Sequence, residues 1–430
     1  MPRALRPFRR PPYRLLATAL ALSLLGVGIW AVALVFQVRE LGGGPVELSF
    51  VAALNATGLI AAVLVGGAIA DRVPQQRILI VVEAVKAAVI VTLGVLGLLG
   101  VMELWQLAVG AVLLGLADGF FYPAYSALLP SLLVPDELLA ANGIEGVLRP
   151  VVMSAIGPAA AGVLIAALSP SAAFVVIGFT QALAIGVLVL LGSMPVQRVL
   201  EAGRAPVRGM LVDIAEGVRF VVRTPWLFAT LLFASVFVLV VMGPIEVLLP
   251  FAVLDRTGGG PESFALVLAA YGIGSAATSL IVASLPLPRR YLTVMLAGWA
   301  IGCVPLAAVG VTDQLWLMVV AGFLVGSGFA LGQVIWGTLL QRRVPPAMLG
   351  RVSSLDFFVS LVFMPISMAL AGPVGEAIGF GPAFAAAGLI PLVLAAITYL
   401  VARMAGDEVE HPLSTEPPVE GDAGAPPPAA

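Results

Sequence analysis

The sequence predicts an all-α membrane protein in which twelve transmembrane helices form two pseudo-symmetric six-helix bundles. Three observations lead to this fold class: the composition, the number of long apolar runs and an internal repeat. Of the 430 residues, 60% are hydrophobic and only 11% are charged, whereas about 25% of the residues of a soluble protein are charged. So few polar side chains cannot cover a water-facing surface, and most of the chain is therefore expected to lie in lipid.

Twelve apolar runs are long enough to cross a bilayer. A helix needs about 20 apolar residues to span roughly 30 Å of hydrocarbon. The runs fall at about residues 14–38, 46–70, 78–100, 103–129, 138–168, 171–194, 225–254, 262–285, 291–311, 314–340, 347–378 and 380–403. The first run follows five arginines, but it is much longer than the apolar core of a secretory signal, which has about 7–15 residues. We therefore expect the first run to be a membrane helix.

The distribution of basic residues predicts the orientation. If the N-terminus lies inside, eighteen of the 22 Lys and Arg residues fall in cytoplasmic segments, whereas the outer loops hold only Arg39 and Arg256. Cytoplasmic loops of membrane proteins carry an excess of Lys and Arg. We expect a multi-pass protein of the cell membrane (plasma or inner membrane) with both termini in the cytoplasm.

An internal repeat relates the two halves of the chain. Gly-Gly-Gly-Pro at residues 42–45 recurs at 258–261, Leu-Trp at 104–105 recurs at 315–316, and Val-Pro at 134–135 recurs at 344–345. Parallel repeats of this kind place a substrate site between the halves near the bilayer midplane, and access alternates as one half rocks against the other.

The segments outside the two bundles differ in composition. Residues 211, 214, 218, 221 and 222 of the central linker are apolar at helical spacing, with charged residues on the other face, which predicts an amphipathic helix on the membrane surface. The end of the chain has six acids, no Lys or Arg and many prolines, which is typical of disorder. The predicted organisation is a basic cytoplasmic N-terminus at 1–13, bundles at 14–194 and 225–403, a cytoplasmic linker at 195–224 and a disordered acidic, Pro-rich tail at 404–430.

Three scarce residue types exclude several kinds of site. The single cysteine, Cys303, permits no internal disulfide, and the single histidine, His411, permits no histidine-based metal cluster or triad. The only lysine, Lys86, follows Val-Glu-Ala-Val rather than the glycine-bearing sequence of a phosphate-binding loop. We expect no metal, cofactor, ATP site or nucleic-acid partner, and we do not expect an enzyme.

Several segments resemble a known family. Residues 67–73, Gly-Ala-Ile-Ala-Asp-Arg-Val, resemble the cytoplasmic signature of the major facilitator superfamily, and Gly157, Pro158 and Gly162 in the fifth run resemble its exporter-associated motif. Residues 117–130, 141–150 and 349–352 are similar to the drug, macrolide and siderophore exporter branch, which includes macrolide-efflux and enterobactin-exporter relatives. The resemblance covers about residues 14–403. It implies the major facilitator fold and a secondary active exporter.

Two positions depart from the pattern of this branch. Its members often carry an acid between glycines in the first helix, where this chain has Gly26, Val27 and Gly28. The signature loop often ends in consecutive basic residues, where this chain has two glutamines before Arg77. The first departure removes one candidate proton carrier, and the second lowers the charge of the loop.

Seven charged residues fall in the interior of the predicted spans, away from the span ends. A charge at the bilayer centre costs roughly 2.5–3.5 kcal/mol on insertion scales, so each is a functional candidate. Glu83 with Lys86 and Glu145 with Arg149 can each pair along one helix, which favours a structural role for the first pair and leaves the role of the second open.

The other three charged residues are acids with no opposite charge three or four residues away. A carboxyl group that loses water tends to take up a proton. We therefore expect Asp118, Glu246 and Asp356, with Glu145 and Arg149 of the branch motif, to take part in proton coupling or substrate recognition. The alternative is that each carboxylate only accepts hydrogen bonds between helices.

The resemblance and the charge pattern predict a cytoplasmic gate. Asp71 at the end of the second helix can oppose the positive N-terminus of the eleventh helix and the nearby Arg351. Such a contact would hold the inner side closed, and the alternative is a loop that only sets topology. The residues of this predicted gate are Gly67, Asp71, Arg72, Arg77 and Arg351.

Aromatic and weakly polar residues in the spans are candidates for lining a central cavity, although each could instead pack or face lipid. They are Trp30, Gln37, Asn55, Phe120, Tyr122, Tyr125, Phe233, Trp336 and Phe357. We expect a monomeric, proton-coupled antiporter that exports a hydrophobic or amphipathic small molecule (a drug, macrolide or siderophore) by alternating access. The alternatives are a lipid or lysophospholipid transporter without proton coupling and a non-transporting membrane receptor.

Overall fold

Twelve long apolar helices dominate the computed structural model, which describes residues 3–70, 73–192 and 206–413. Within these ranges the regular structure is helical. The helices long and apolar enough to cross a membrane are α1 Pro11–Glu40, α2 Pro45–Ala70, α3 Gln75–Leu98, α4 Leu104–Leu132, α5 Ala140–Ala167, α6 Pro170–Leu190, α7 Pro225–Thr257, α8 Pro261–Ser284, α9 Tyr291–Val309, α10 Leu315–Arg343, α11 Arg351–Ile378 and α12 Phe380–Val401. The predicted number of spans is confirmed.

The repeated Gly-Gly-Gly-Pro segments form equivalent turns. Gly42 and Gly258 have φ of +79° and +65°, a left-handed conformation that glycine adopts without steric cost. Pro45 and Pro261 then begin α2 and α8, because proline suits the first turn of a helix, where its missing N–H is not needed. The repeat read in the sequence is therefore also a repeat of backbone geometry.

Glycines let equivalent helix pairs pack closely in the two halves. A Cβ at Gly115 of α4 would clash with the Asn55 carbonyl of α2, and one at Gly326 of α10 would clash with the Tyr271 carbonyl of α8. Small residues of this kind are the usual contacts between membrane helices. A side chain bridges each crossing, since Asn55 Nδ2 donates to the Ala111 carbonyl at 3.0 Å and Ser275 Oγ donates to the Gly326 carbonyl at 3.0 Å.

Several contacts join the halves at one end of the bundle, which we call the closed end. There the Gly372 N–H of α11 donates to Ser49 Oγ of α2 at 2.6 Å. Arg39 of α1 pairs with Asp255 of α7 at 3.0 Å, and Gly162 of α5 packs against α8. These contacts join the N-terminal half to the C-terminal half through α1, α2 and α5.

Two of the long helices contain π-helical turns. In α5 the turn covers Arg149–Ile156, and in α7 it covers Pro244–Leu248. Each turn has a proline at its start, and proline removes a backbone donor from the helical ladder. Turns of this kind are frequent at functional sites.

Two shorter helices lie outside the spans. The linker helix, Pro206–Arg223, lies within the stretch where an amphipathic helix is predicted, and residues 193–205 are outside the described ranges. The C-terminal helix covers Met404–Glu410. The prediction of disorder from residue 404 is therefore wrong for this helix, which is held by contacts that composition does not reveal, and residues 414–430 lie outside the described ranges.

Buried acids hold the C-terminal helix against α9 and α10. Glu408 is 4% exposed and accepts hydrogen bonds from Thr293 N at 2.7 Å and Thr293 Oγ1 at 2.9 Å. Asp407 pairs with Arg343 at the end of α10. A carboxylate at the start of α9 also opposes the positive end of the helix dipole.

Candidate functional site

The first of two neighbouring cavities lies between the halves. Its volume is about 450 Å³. Val27 and Ala31 of α1, Met153 and Ser154 of α5, Ile245 and Glu246 of α7, Phe264 and Tyr271 of α8, and Phe329 of α10 line it with other apolar residues. Both π-helical turns thus contribute to its wall. We call it the central cavity.

Glu246 is the charged residue of the central cavity. It lies in the π-helical turn of α7, and its accessible surface borders the cavity. It makes no hydrogen bond or ion pair in the part of the chain that the structure describes. An unpaired carboxylate in apolar surroundings is costly unless it is protonated or meets an opposite charge.

The second cavity adjoins the central cavity and is lined by residues of the C-terminal half. Its volume is about 370 Å³, and it shares Met242 and Phe329 with the central cavity. Asp356 is its charged residue and accepts a hydrogen bond from Trp336 Nε1 at 3.1 Å. We call it the lateral cavity.

An aromatic cluster forms much of the wall of the lateral cavity. Phe233, Phe237, Trp299 and Phe329 lie with ring centroids 5.3–6.5 Å apart. Aromatic pairs at such distances contribute beyond their buried area. Three of the predicted cavity residues line this cavity: Phe233, Trp336 and Phe357.

A third group of charges lies inside the N-terminal half. Lys86 of α3 pairs with Asp118 of α4 at 2.9 Å and lies 3.8 Å from Glu83 on its own helix. Ser23 of α1 donates to Glu83 Oε1 at 2.7 Å and accepts from Lys86 at 3.2 Å. We call Ser23, Glu83, Lys86 and Asp118 the buried ionic cluster. The partner of Asp118 comes from another helix, which sequence spacing could not reveal.

The second predicted ion pair forms along one helix. Arg149 pairs with Glu145 at 2.8 Å, and its guanidinium lies 5.1 Å from the centre of the Tyr122 ring. Arg149 begins the π-helical turn of α5, and Glu145 lies four residues before it. The pair therefore lies in the same helix as residues that line the central cavity.

The remaining cavity candidates make contacts within the N-terminal half. Gln37 is buried and accepts a hydrogen bond from Ser171 at 2.7 Å, and Trp30 packs on Phe174 with centroids 5.1 Å apart. Tyr125 is buried and stacks on Phe121. The others lie as follows: Asn55 bonds to α4, Tyr122 faces Arg149, and Phe120 lines an apolar groove beside α2, α3 and α4.

The predicted gate is described only in part. Asp71 and Arg72 lie outside the described ranges, and Gly67 falls within α2. Arg77 is exposed at the start of α3. Arg351 of α11 pairs with Glu216 of the linker helix, a contact that the sequence analysis does not anticipate.

The Gly-Pro stretch of α5 serves close helix packing. A Cβ at Gly157 would meet the backbone of Gly28 in α1, and a Cβ at Gly162 would meet Ala265 in α8. Pro158 lies between these two contacts and lines the central cavity. The α5 helix is therefore held against both halves.

Two further buried polar residues are absent from the predicted site. Ser23 stands in a long apolar run and joins the buried ionic cluster, and Gln181 of α6 is fully buried with no hydrogen bond to either amide atom in the described part of the chain. Polar side chains inside membrane helices are themselves a signal of interhelical contact. Their positions in the apolar runs could have indicated both residues.

The chain is similar to known exporters along almost its whole length. The family model described as transmembrane secretion effector matches residues 3–422. The multidrug efflux pump Tap of Mycolicibacterium fortuitum is 29% identical over 92% of this chain and 97% of its own length. The enterobactin exporter EntS of Escherichia coli K12 is 25% identical over 95% of each chain, and macrolide efflux protein A of Streptococcus pyogenes is 22% identical over 89% and 93%.

Solved structures share the fold at low sequence identity. The nucleoside transporter NupG superposes with a TM-score of 0.66 at 11% identity, covering 92% of this chain and 99% of that one. A bacterial homologue of the lysosomal transporter Spinster, in an inward-facing and unoccupied conformation, has a TM-score of 0.65 at 14% identity and covers 94% and 99%. These similarities show the twelve-helix fold of major facilitator transporters.

Proposed function

Because the chain belongs to the transmembrane secretion effector family of the major facilitator superfamily, we propose that it exports a hydrophobic or amphipathic small molecule in exchange for protons. The family and the relatives make it an efflux-type transporter. We propose the substrate class, the coupling to protons and the alternating-access cycle. Export of drugs, macrolides or siderophores by the relatives is consistent with it.

The observation that carries the proposal is the pair of adjoining cavities. Their volumes, about 450 and 370 Å³, fall in the range of pockets that hold drug-sized ligands, about 300–1,000 Å³. Their walls are apolar and aromatic, and Glu246 and Asp356 supply one carboxylate each. Such a site suits a mostly apolar molecule with a cationic or hydrogen-bonding group.

The contacts at the closed end support alternating access. If the N-terminus is cytoplasmic, the closed end faces outward, since α1 ends there at Arg39. The cavities would then receive substrate from the cytoplasmic side in this conformation. Among the described contacts, opening the closed end would break the Arg39–Asp255 ion pair and the Gly372–Ser49 hydrogen bond, and it would also separate Arg39 from the Phe251 ring.

The carboxylates divide into two proposed roles. Glu246 and Asp356 border the cavities and can meet the substrate, whereas Asp118 belongs to the buried ionic cluster away from them. Proton binding at the cluster and substrate binding in the cavities can then affect each other through a change in helix packing. We propose that the transporter works as a monomer in the cell membrane with both termini in the cytoplasm.

Transport in inverted membrane vesicles tests the proposed function. A panel of drugs, macrolides and siderophores, screened first by efflux from cells with and without the protein, supplies the substrate. An imposed pH gradient should drive its accumulation, and a proton uncoupler should abolish it. We expect Asp118→Asn and Asp356→Asn to remove gradient-driven accumulation, with Glu103→Gln, at an exposed helix cap, as the control.

Two outcomes contradict parts of the proposal. If both variants keep gradient-driven transport, the coupling assignment is wrong. If substrate accumulates regardless of the uncoupler, the protein is a lipid or lysophospholipid transporter of the same fold, or another transporter without proton coupling.

A further inference from the structure

Glu83 is the most deeply buried carboxyl group of the buried ionic cluster. It is fully buried on α3, and its Oε1 accepts the hydrogen bond from Ser23. Its Oε2 is buried and makes no hydrogen bond in the described part of the chain. One of its two oxygens is therefore left without any donor.

Lys86 cannot neutralise both acids of the cluster. Its ammonium lies 2.9 Å from Asp118 and 3.8 Å from Glu83, so the shorter contact goes to Asp118. The ammonium also donates to Ser23 and lies 5.4 Å from the centre of the Phe121 ring. Two carboxylates and one ammonium would leave one uncompensated negative charge among packed helices.

In the described ranges, the two helices that pack most closely against α3, which are α4 and α6, bring no further positive charge, and Arg149 of α5 is paired with Glu145. The α6 helix, which packs against α3, carries no charged residue between Pro170 and Leu190. The α4 helix contributes only Asp118 among charged residues, and α1 contributes Ser23 here. The excess charge of the cluster therefore has no protein partner in the described ranges.

Charge balance decides which acid is neutral. An unpaired buried charge costs much more than an unpaired neutral hydroxyl. Asp118 is about one-third accessible and touches the ammonium, whereas the side chain of Glu83 is 1% exposed and lies farther from it. We propose that Glu83 binds the exchanged proton in this conformation, while Lys86 and Asp118 form the ion pair. This role in transport rests on the proposed function, but the protonated state of Glu83 does not.

The cluster fits a proton better than a metal cation. A hard divalent cation takes about six to eight oxygen ligands, and the ammonium of Lys86 already lies 3.2 Å from Ser23 Oγ and 3.8 Å from Glu83. A second cation there would face a positive charge at close range. A proton needs only one oxygen, and Glu83 Oε2 supplies it.

The geometry also supplies a release step. Lys86 and Glu83 lie on the same helix, so a shift of α3 against α4 that separates Lys86 from Asp118 leaves the ammonium free to pair with Glu83, 3.8 Å away. The proton then leaves Glu83 Oε2 for water on the side to which the cluster opens, and Lys86 keeps its own charge throughout. Asp118 becomes the unpaired acid and can take up the next proton.

Infrared spectroscopy of the purified full-length protein tests this site without a substrate. The wild-type protein should show the carbonyl stretch of a protonated carboxylic acid, shifted by exchange into deuterium oxide. We expect Glu83→Gln to remove one such band and Glu103→Gln to leave the spectrum unchanged. An identical protonated-carboxyl region in the wild type and Glu83→Gln would overturn the proposal.

A second variant keeps the test valid if Glu83→Gln is poorly folded. Ser23→Ala removes the hydroxyl that donates to Glu83, so it should shift the same band without removing it. If the band does not shift in Ser23→Ala, it belongs to another acid, and the proposal is overturned. In vesicles, Glu83→Gln should lose gradient-driven accumulation and keep substrate exchange. If the band is present but wild-type transport ignores the gradient, the proposed function fails and the proton site remains.

Discussion

At the residue scale, the acids in the spans differ mainly in what they touch. Asp118 pairs with Lys86, and Asp356 accepts from Trp336, whereas Glu246 has no partner in the described ranges. Val27 occupies the position where the resembling branch often carries an acid, and Val27 and Glu246 line the same cavity. The carboxylate of this cavity therefore comes from α7 rather than from α1.

Sequence alone identified these residues but not their partners. Spacing reveals pairs on one helix, such as Glu145 with Arg149, because residues four apart share a helix face. It could not reveal that Lys86 lies nearer to Asp118 than to Glu83, since that depends on how α3 packs on α4. Pairing between helices is a property of tertiary structure.

Removing the only lysine should destabilise the protein strongly. Breaking a buried ion pair by deleting one partner costs about 3–5 kcal/mol, and Asp118 is partly accessible. We therefore expect Lys86→Met to lower the free energy of unfolding in detergent by about 3 kcal/mol, near the lower end of that range. Adding Asp118→Asn to Lys86→Met should recover part of the loss.

The control for this experiment is Arg290→Met, which removes a positive charge from an exposed site and should change stability little. If Lys86→Met unfolds like the wild type, the ion pair contributes no net stability. If the double variant is less stable than Lys86→Met, Asp118 is not the unpaired acid.

At the element scale, apolar run length predicted the spans well because every backbone polar group in lipid must be satisfied by the helix itself. The π-helical turns were not predicted, although each has a proline at its start, Pro150 in α5 and Pro244 in α7. A proline indicates that the backbone hydrogen bonding of the helix changes locally, but it does not indicate whether a kink or a wider turn results. The C-terminal helix was missed because its acids are paired by residues more than 60 positions away, Arg343 and Thr293.

The contacts of the C-terminal helix make a stability prediction. Glu408→Ala removes the acceptor for Thr293 N and Thr293 Oγ1, and leaving a buried donor unsatisfied costs about 1–3 kcal/mol. We expect the free energy of unfolding to fall by this amount. Denaturation of the purified protein in detergent, followed by tryptophan fluorescence, measures it.

Glu410→Ala is the matched control, because Glu410 lies on the same helix and is exposed. If both variants were as stable as the wild type, the C-terminal helix would not brace α9. A loss in both would point to the net charge of the segment rather than to the hydrogen bonds.

At the scale of the whole molecule, the two halves have similar structures, and the contacts that we describe between them lie at the closed end. The repeat in the sequence predicted two similar bundles, and the equivalent α2–α4 and α8–α10 crossings fit it. Which ends of the halves touch could not be predicted, because a repeated sequence is compatible with contact at either end. Arg39 and Asp255, which lie near the ends of the equivalent helices α1 and α7, pair across the closed end.

Fixing the closed end should stop transport if the halves rock. Arg39 and Asp255 are both substantially exposed, with side-chain accessibilities of 39% and 46%, so cysteines there can be reached by reagent, whereas the native Cys303 is fully buried. We expect a short, reducible bifunctional thiol reagent to join Arg39→Cys and Asp255→Cys in the double variant and to abolish efflux. Reduction should restore it.

The two single-cysteine variants, treated with the same reagent, distinguish the effect of the crosslink from the effect of modifying one cysteine alone. The uncrosslinked double variant should transport, because an exposed ion pair contributes only about 0–1 kcal/mol. Full transport by the crosslinked protein would show that the closed end does not open during the cycle, and the substrate would then have to leave by another route. Loss of activity in a treated single variant would instead place a transport step at that side chain.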